Sequence, residues 1–250
     1  MTDFYRPQIL VSKKYTYEDI EVLVTKSTNR EIVPSIQSEI QKAWQTKIHE
    51  LEALNLPIWD GTTYRVEDMS ISDKKIYLSL SPSIKYRELF TESSFQNFYK
   101  EKPERYLKHL SIAAIIETSD GRFVLGETSY PHRAQYDTIG GGVQENELPI
   151  HTSADLQLTL HKEIEEEIGI LPKHFIDEYI CGILIGSKSN IIIIARVKLN
   201  IHSIELGTLF MSRTDKDELK GVISLTKEDY ISFCSSGATY RPFLSQLLEV

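Results

Sequence analysis

The residues of this chain best suited to chemistry are a group of glutamates and a run of glycines. The segment 162–170 has the sequence KEIEEEIGI, and the glycine run 140–142 precedes it. Residues i, i+3 and i+4 share one side of a helix, so Glu163, Glu166 and Glu167 are expected to be neighbours. Crowded carboxylates raise each other's pKa unless a cation lies among them, and hard oxygen ligands suit Mg²⁺ or Mn²⁺. We therefore predict a catalytic metal site at these three glutamates.

A simpler interpretation of the same segment is an ordinary amphipathic helix. Leu160, Ile164 and Ile168 follow an i, i+4, i+8 ridge, which predicts one apolar edge against a core. Glutamate is a good helix former, and acidic runs are commonly solvated faces. Three glycines by themselves indicate only a flexible turn, although glycine also lets the backbone approach a ligand closely. The metal-site interpretation therefore depends on the glycines and the helix occurring together.

The order and spacing of these residues resemble the sequence box of the Nudix hydrolases. Five residues separate Gly141 from Glu147, as in that family, and 162–170 match the second half of the box except at Lys162, where the family has Arg. The resemblance implies an α/β/α sandwich with a mixed sheet and Mg²⁺, or Mn²⁺, as cofactor. It also implies hydrolysis of a nucleoside diphosphate linked to another moiety.

Two departures from the box predict local differences. Fourteen residues, 148–161, separate Glu147 from Lys162, seven more than in the family. Thr152 and Ser153 resemble a helix cap, so we expect the helix to begin near residue 153 and to end at Gly169; the alternation of leucines at 156, 158 and 160 also fits a strand. Lys162 keeps the charge of the family's arginine without its planar fork, and a pair with Glu166 or with Glu147 is open.

The resemblance also directs attention to further candidate ligands. The backbone of Gly141 is a candidate contact for a metal or a phosphate, and a later loop is expected to add an acidic group, Glu218 or alternatively Asp217. For the phosphates of a substrate the chain offers four arginines, each of which alone would be an ordinary surface charge: Arg65, Arg87, Arg122 and Arg133.

Composition excludes several classes of protein. The chain has 250 residues, 41% of them hydrophobic, which is ample for a core. Its net charge of −8, without a basic run, argues against a nucleic-acid partner and favours a small-molecule substrate, which the resemblance implies is a nucleotide. The start of the sequence has no signal-peptide pattern and no run reaches membrane-spanning length, so we expect a cytoplasmic protein without a membrane partner. Cys181 and Cys234 have no metal-ligand spacing and are expected to be reduced and packed in the core. Oligomeric state is left open.

Periodicity predicts two regions of mixed secondary structure. In 1–105, a smaller α+β region packed on the rest, we predict strands in 9–11 and 20–24, an amphipathic helix over 34–55, a hairpin of 63–71 with 75–80, and a helix with a connector in 91–105. In 106–250 we predict a hairpin around 118–121, strands in 136–139, 178–185, 191–197, 204–211 and 222–226, and helices over 227–234 and 241–248.

The first region carries a second resemblance. Asp60 to Arg65 after the first helix, and Tyr86 with Arg87, resemble the N-terminal region of the Nudix branch that cleaves UDP-glucose or UDP-galactose to UMP and sugar 1-phosphate. A rival interpretation is a catalytically silent Nudix-like module that binds a nucleotide as a sensor, which the interrupted box favours and the retained glutamates oppose. An isoprenyl diphosphate isomerase on the same fold is disfavoured, because neither cysteine has the context of a catalytic thiol.

Overall fold

The computed structural model describes residues 8–26, 32–55, 58, 60–91, 107–129, 135–186, 189–236 and 241–250. Within them, eleven strands and five α-helices follow in order: β1 (Gln8–Tyr15), β2 (Ile20–Val24), α1 (Pro34–Ala53), β3 (Thr62–Ile71), β4 (Ile76–Lys85), β5 (Leu110–Glu117), β6 (Phe123–Thr128), β7 (Tyr136–Asp137), β8 (Ile139–Gly142), α2 (Ser153–Ile168), β9 (Phe175–Ile185), β10 (Ile191–Leu199), α3 (Leu206–Met211), β11 (Leu219–Leu225), α4 (Lys227–Ser236) and α5 (Arg241–Leu244). Short 3₁₀ turns join several of them.

A large mixed sheet organises the described residues. Its strand order is β1-β9-β10-β5-β6-β11, and β10 runs parallel to β5 while the other neighbours along this path are antiparallel. Strands β5 and β6 pair at Glu117 and Phe123 and then separate, since β8 pairs with β5 and β7 with β6. The glycine run therefore enters the sheet in the gap between two diverging strands.

Helices cover both faces of this sheet, which makes the fold a mixed α/β sandwich. The residues Ile191 to Ala195 of β10 are at most 3% exposed, as expected for a central strand buried on both faces. On one face Ile193 and Ala195 share a core with the apolar edge of α2. On the other, Ile192 and Ile194 share a core with Tyr230 and Cys234 of α4 and Leu244 of α5. Cys181 lies in this second core too, and both cysteines are buried free thiols.

Helix α2 begins and ends where the sequence predicts. Thr152 is the N-cap, and the carboxylate of Asp155 accepts from the N–H groups of His151 and Thr152, both at 2.8 Å. Gly169 terminates the helix in the left-handed region with φ of 72°. Of the residues 148–161 between the two halves of the box, 148–152 precede α2 and 153–161 form its first turns. A strand in this segment is ruled out because α2 is helical from Ser153.

The N-terminal region contacts the larger sheet in two ways. Strand β1 pairs with β9 at the edge of the large sheet, while β2, β4 and β3 form a separate three-stranded sheet. Strand β3 then meets the segment after the glycines: Tyr64 N–H donates to Val143 O at 3.1 Å, and the Tyr64 hydroxyl accepts from Ile150 N–H at 2.9 Å. The N-terminal region is thus packed on the sandwich next to the insertion.

Two sequence-based predictions fare differently. The strand predicted in 204–211 is wrong, because Ser203–Glu205 form a 3₁₀ turn and Leu206–Met211 form α3. Leu206 and Phe210 are buried one helical turn apart while Ile204 is 81% exposed, a period of four rather than two. The helix and connector predicted in 91–105 lie, apart from Thr91, outside the described residues. None of the described helices is sufficiently long and apolar to cross a membrane.

Candidate active site

Three separate elements bring the candidate site together. Strand β8 supplies Gly140 and Gly141, α2 supplies Glu163 and Glu167, and the turn before β11 supplies Glu218. The Gly140 N–H donates to Glu167 Oε2 at 3.2 Å, and the carboxyl groups of Glu167 and Glu218 share a side-chain hydrogen bond. The glycine run, the helix and the late acidic residue therefore meet at one place.

The carboxyl groups at this place are hard to ionise. Burial is the main cause that raises the pKa of Glu163 to about 8, and the negative charge of Glu218 adds to it while Lys162 opposes it. Burial, followed by repulsion from Glu218 and Glu163, also raises the pKa of Glu167 well above its ordinary value, against the effect of the Gly140 N–H. Without a cation, the cluster therefore holds protons at neutral pH.

Glycine is required at two positions of the run for different reasons. Gly140 has φ of 142°, and a Cβ there would lie 2.2 Å from Ile112 O. A Cβ on Gly141 would lie 2.9 Å from both carboxylate oxygens of Glu163, although the backbone there is not strained. At Gly142 no heavy atom lies within 4 Å of the added Cβ. Gly140 is thus needed for the strand, and Gly141 leaves the space that the Glu163 carboxylate faces.

Glu166 lies beside the cluster in an ion pair. Lys162 Nζ is 2.7 Å from Glu166 Oε2 and 2.5 Å from Glu147 Oε2, so both pairings left open by the sequence occur together. Partial burial lowers the pKa of Lys162, but its hydrogen bonds to the two carboxylates raise that pKa overall. One lysine thereby joins the two halves of the interrupted box without the bidentate fork of an arginine.

Between the two late acidic candidates, the structure brings Glu218 to the cluster. Asp217 has an exposed side chain, and its N–H donates to Asp215 Oδ1 at 2.8 Å. Glu218 is held on both sides, since its N–H donates to the same Asp215 oxygen at 3.2 Å and its carbonyl accepts from Ser129 N–H at 2.8 Å.

The described arginines have partners of their own elsewhere. Arg65 is buried and forms an ion pair with Glu67, and Arg87 Nε lies 3.3 Å from Asp60 Oδ2. Arg122 donates to the carbonyl and the hydroxyl of Ser224. Because its own carbonyl accepts from Thr118 N–H, Arg122 lies about 20 Å along β5 from Ile112, the partner of Gly141. Arg133 lies outside the described residues, so a role of these four in binding phosphates stays a prediction.

The donor chemistry of the cluster fits a hard divalent cation, whereas its arrangement is not that of a closed cage. Glu163, Glu167 and Glu218 offer carboxylate oxygens, the ligands that Mg²⁺ and Mn²⁺ prefer, and Gly141 leaves room beside Glu163. Across the described ranges, however, no group of three or more His, Cys, Asp or Glu side chains is placed to hold a metal ion as it stands.

Some solved structures have a distant likeness to this chain. A Nudix hydrolase from Nitrosomonas europaea is 17% identical, with 56% of this chain and 86% of that chain covered and a TM-score of 0.38. A MutT protein from Methanosarcina mazei is also 17% identical, with 56% and 93% covered and a TM-score of 0.37. No protein-family model and no curated protein matches the sequence. These likenesses are too distant to assign an activity to this chain.

Sequence reasoning missed two residues that hold the acidic loop. Asp215 bonds the backbone of Glu218, and Arg213 donates to Phe210 O at 2.9 Å and to Leu219 O at 3.1 Å. Aspartate side chains commonly accept hydrogen bonds from backbone N–H groups a few residues later in turns, so the role of Asp215 could have been predicted from the sequence. Nothing in the sequence near Arg213 indicates its carbonyl partners.

Proposed function

We propose that this protein is a divalent-cation-dependent hydrolase of the Nudix type that cleaves a nucleoside diphosphate linked to another moiety. The observation that carries the proposal is the meeting of Glu163, Glu167 and Glu218 beside Gly140 and Gly141. Crowding and burial of charged carboxyl groups lower the free energy of unfolding. Carboxyl groups on an ordinary solvated helix face are not crowded or buried in this way. A site that receives a cation gives this crowding a physical reason.

The residues of the chain have distinct parts in the proposed chemistry. When bound, Mg²⁺ neutralises the charge of the diphosphate and lowers the pKa of a water molecule. Gly140 N–H orients Glu167 by donating to Oε2. Burial raises the pKa of Glu163 in the cation-free chain, and a cation bound beside it would favour the ionised carboxylate, so Glu163 would serve as a ligand. Lys162 keeps Glu147 and Glu166 paired at the edge of the site.

For the substrate, we propose a UDP-sugar cleaved to UMP and sugar 1-phosphate, with residues 1–105 shaping the nucleotide pocket. Support comes from the sequence resemblance of 60–65 and 86–87. The hydrogen bonds of β3 with the segment after the glycines also support it, including Glu145 N–H to Thr62 O at 2.9 Å. That contact lies three residues past the end of β8, close enough for the N-terminal region to influence what binds there.

A panel of substrates tests the proposal. UDP-glucose, UDP-galactose, ADP-ribose, a dinucleotide and nucleoside triphosphates are incubated with the full chain, with Mg²⁺ and with EDTA. We expect Mg²⁺-dependent turnover with the highest kcat/KM for a UDP-sugar. An equal or higher kcat/KM for ADP-ribose would remove the UDP-sugar proposal and leave the hydrolase, whereas turnover that persists in EDTA would remove the metal.

A second candidate function is a silent nucleotide-binding sensor. It is favoured by the lack, within the described residues, of three acidic side chains already placed around an ion. The same panel separates the two candidates, because a sensor binds a nucleotide, as seen by a thermal shift, without turning over any compound.

A further inference from the structure

The loop between α3 and β11 contains an acidic residue that reaches the site. The hydrogen bonds within this loop and around it restrain its backbone. Its residues 212–218 contain Glu218, whose carboxyl meets Glu167. Loops are usually the variable and mobile parts of a protein, so a loop that must deliver one carboxyl to a fixed point needs restraints. The described structure contains three of them, centred on Asp215, Arg213 and Gly169.

Asp215 connects the loop directly to the glutamate helix. Its N–H donates to Glu166 O at 3.0 Å. Glu166 belongs to the last turn of α2, where backbone carbonyls have no N–H partner within the helix. Its carboxylate oxygen Oδ1 accepts from Asp217 N–H and Glu218 N–H. One residue thus links the backbone of a box glutamate to the backbone of Glu218.

Arg213 closes the loop from the other side. Its guanidinium lies 3.6 Å from the Phe210 ring centroid and donates to Phe210 O and Leu219 O, which joins the end of α3 to the residue after Glu218. Gly169 allows α3 to lie against the end of α2, since a Cβ there would be 2.1 Å from Leu209 O. The two ends of the loop are therefore fixed independently of Asp215.

We propose that Asp215, supported by Arg213, is a positioning residue that sets the place of the Glu218 carboxyl in the cation site. It acts through the hydrogen bond from Glu218 N–H and does not itself touch the cation or the substrate. The inference rests on the proposed function, because it assumes that Glu218 contributes to holding a divalent ion. Outer contacts that orient metal ligands typically change metal affinity by ~10–100-fold when removed.

The test measures Mn²⁺ binding to the full chain from the electron paramagnetic resonance signal of free Mn²⁺, so it needs no substrate. Asp215→Ala loses the acceptor and is expected to weaken Mn²⁺ binding by ~10-fold or more. Asp215→Asn loses the same charge but keeps an oxygen acceptor, and is expected to stay within about threefold of the wild type, since only the hydrogen bond matters on this proposal. Asp217→Asn is the matched control in the same loop, because its side chain is exposed.

A double-mutant cycle with Glu218→Gln decides whether Asp215 acts through Glu218. If it does, Asp215→Ala weakens binding much less in the Glu218→Gln background than in the wild type. An equal factor in both backgrounds, or an unchanged affinity in Asp215→Ala alone, overturns the proposal. Should Asp215→Ala not melt cooperatively, Asp215→Val takes its place in the cycle, since valine is close to aspartate in size and also lacks an acceptor.

The same data separate this inference from the proposed function. Weaker binding in Glu218→Gln with unchanged binding in Asp215→Ala removes the positioning role and leaves the cation site. Failure of the wild type to bind Mn²⁺ removes both.

Discussion

Glu167 is the side chain whose substitution tests the metal-site interpretation most directly. It is 5% exposed, accepts from Gly140 N–H, and shares a hydrogen bond with Glu218. A solvated glutamate would have none of these features. Its substitution consequently separates an active site from an acidic helix face.

We expect Glu167→Gln to lower kcat by ~10²-fold or more, because it removes a charge at the point where a diphosphate would be activated. Folding should persist, and the metal-free variant should melt at or above the wild-type temperature, because Gln removes the free-energy cost of keeping a buried carboxyl protonated at neutral pH. The stabilisation given by Mg²⁺ should shrink, because that increment depends on affinity for the folded site. Turnover and melting with and without Mg²⁺ measure these effects.

Glu165→Gln is the matched control for that experiment. Glu165 is exposed on the same helix, away from the cluster. We expect wild-type turnover and a wild-type Mg²⁺ shift from it. If Glu167→Gln behaves like this control, the acidic helix is not an active site.

The raised pKa of Glu163 predicts how stability depends on pH without metal. The pKa is raised from 4.5 to about 8, so the folded chain keeps a proton that the unfolded chain has lost. Because the folded state binds more protons, the free energy of unfolding should fall as pH rises between these values. In EDTA, the melting temperature of the wild type should fall relative to that of Glu163→Gln over this range. A difference between the two melting temperatures that does not change with pH would contradict the raised pKa of Glu163.

At the scale of elements, the three glycines of β8 are needed to different degrees for the position of this strand in the sheet. The strand pairs with β5 in the gap left by β6, and its second and third residues lie against different surroundings. A single-residue scan along it therefore tests backbone strain and site space separately.

We expect three different outcomes from alanine at the three glycines. Gly140→Ala should be strongly destabilising, by ~2 kcal/mol or more, because of its φ and the contact with Ile112 O. Gly141→Ala should fold close to normally but lose Mn²⁺ affinity and turnover, since the Cβ displaces the Glu163 carboxylate. Gly142→Ala is the control and should resemble the wild type. Denaturant unfolding and Mn²⁺ titration distinguish them, and equal stability of the three variants would refute the assignment.

The helix α2 shows why the insertion does not disrupt the box. Seven residues correspond to about two helical turns, so extra helical residues return nearly to the same face. Leu156 and Leu160 accordingly continue the buried ridge of Ile164 and Ile168, all at most 1% exposed. Glu147 still reaches Lys162, since its Oε2 lies 2.5 Å from Lys162 Nζ.

At the scale of the whole molecule, the N-terminal region belongs to the same core as the candidate site. Val11 and Tyr15 of β1, and Tyr64 and Val66 of β3, are members of the core that contains α2. Strand pairing, side-chain packing and hydrogen bonds join these parts, and the division of the chain near residue 106 into two folding units stays a prediction.

We predict that residues 106–250 alone do not reproduce the full chain. Removing the first region exposes the edge of β9 and leaves Ile150 N–H without the Tyr64 hydroxyl. The fragment should aggregate or melt at a lower temperature, and any activity should show a raised KM. Size-exclusion chromatography, thermal melting and kinetics measure this, and full activity at an unchanged KM in a monomeric fragment would disprove it.

The amino-acid sequence by itself determined the local features. Thr152, Asp155 and Gly169 specify the ends of α2 through short-range hydrogen bonds and backbone preference, and apolar periodicity specifies most strands. The glutamates and the glycine run were identifiable because their spacing in the chain resembles that of a known box. For 204–211 the same reasoning failed, because a short apolar run fits a strand or a helix until its neighbours bury Leu206 and Phe210.

Tertiary structure alone decided which distant side chains meet. The Glu218 carboxyl enters the cluster whereas the Asp217 side chain is exposed, and spacing in the sequence contains no such information. The candidate arginines show the same limit in reverse, since Arg87 and Arg122 have partners that lie within reach only after folding. The raised pKa of Glu163 likewise arises from burial and from a charge contributed by another element, so only the folded chain has it.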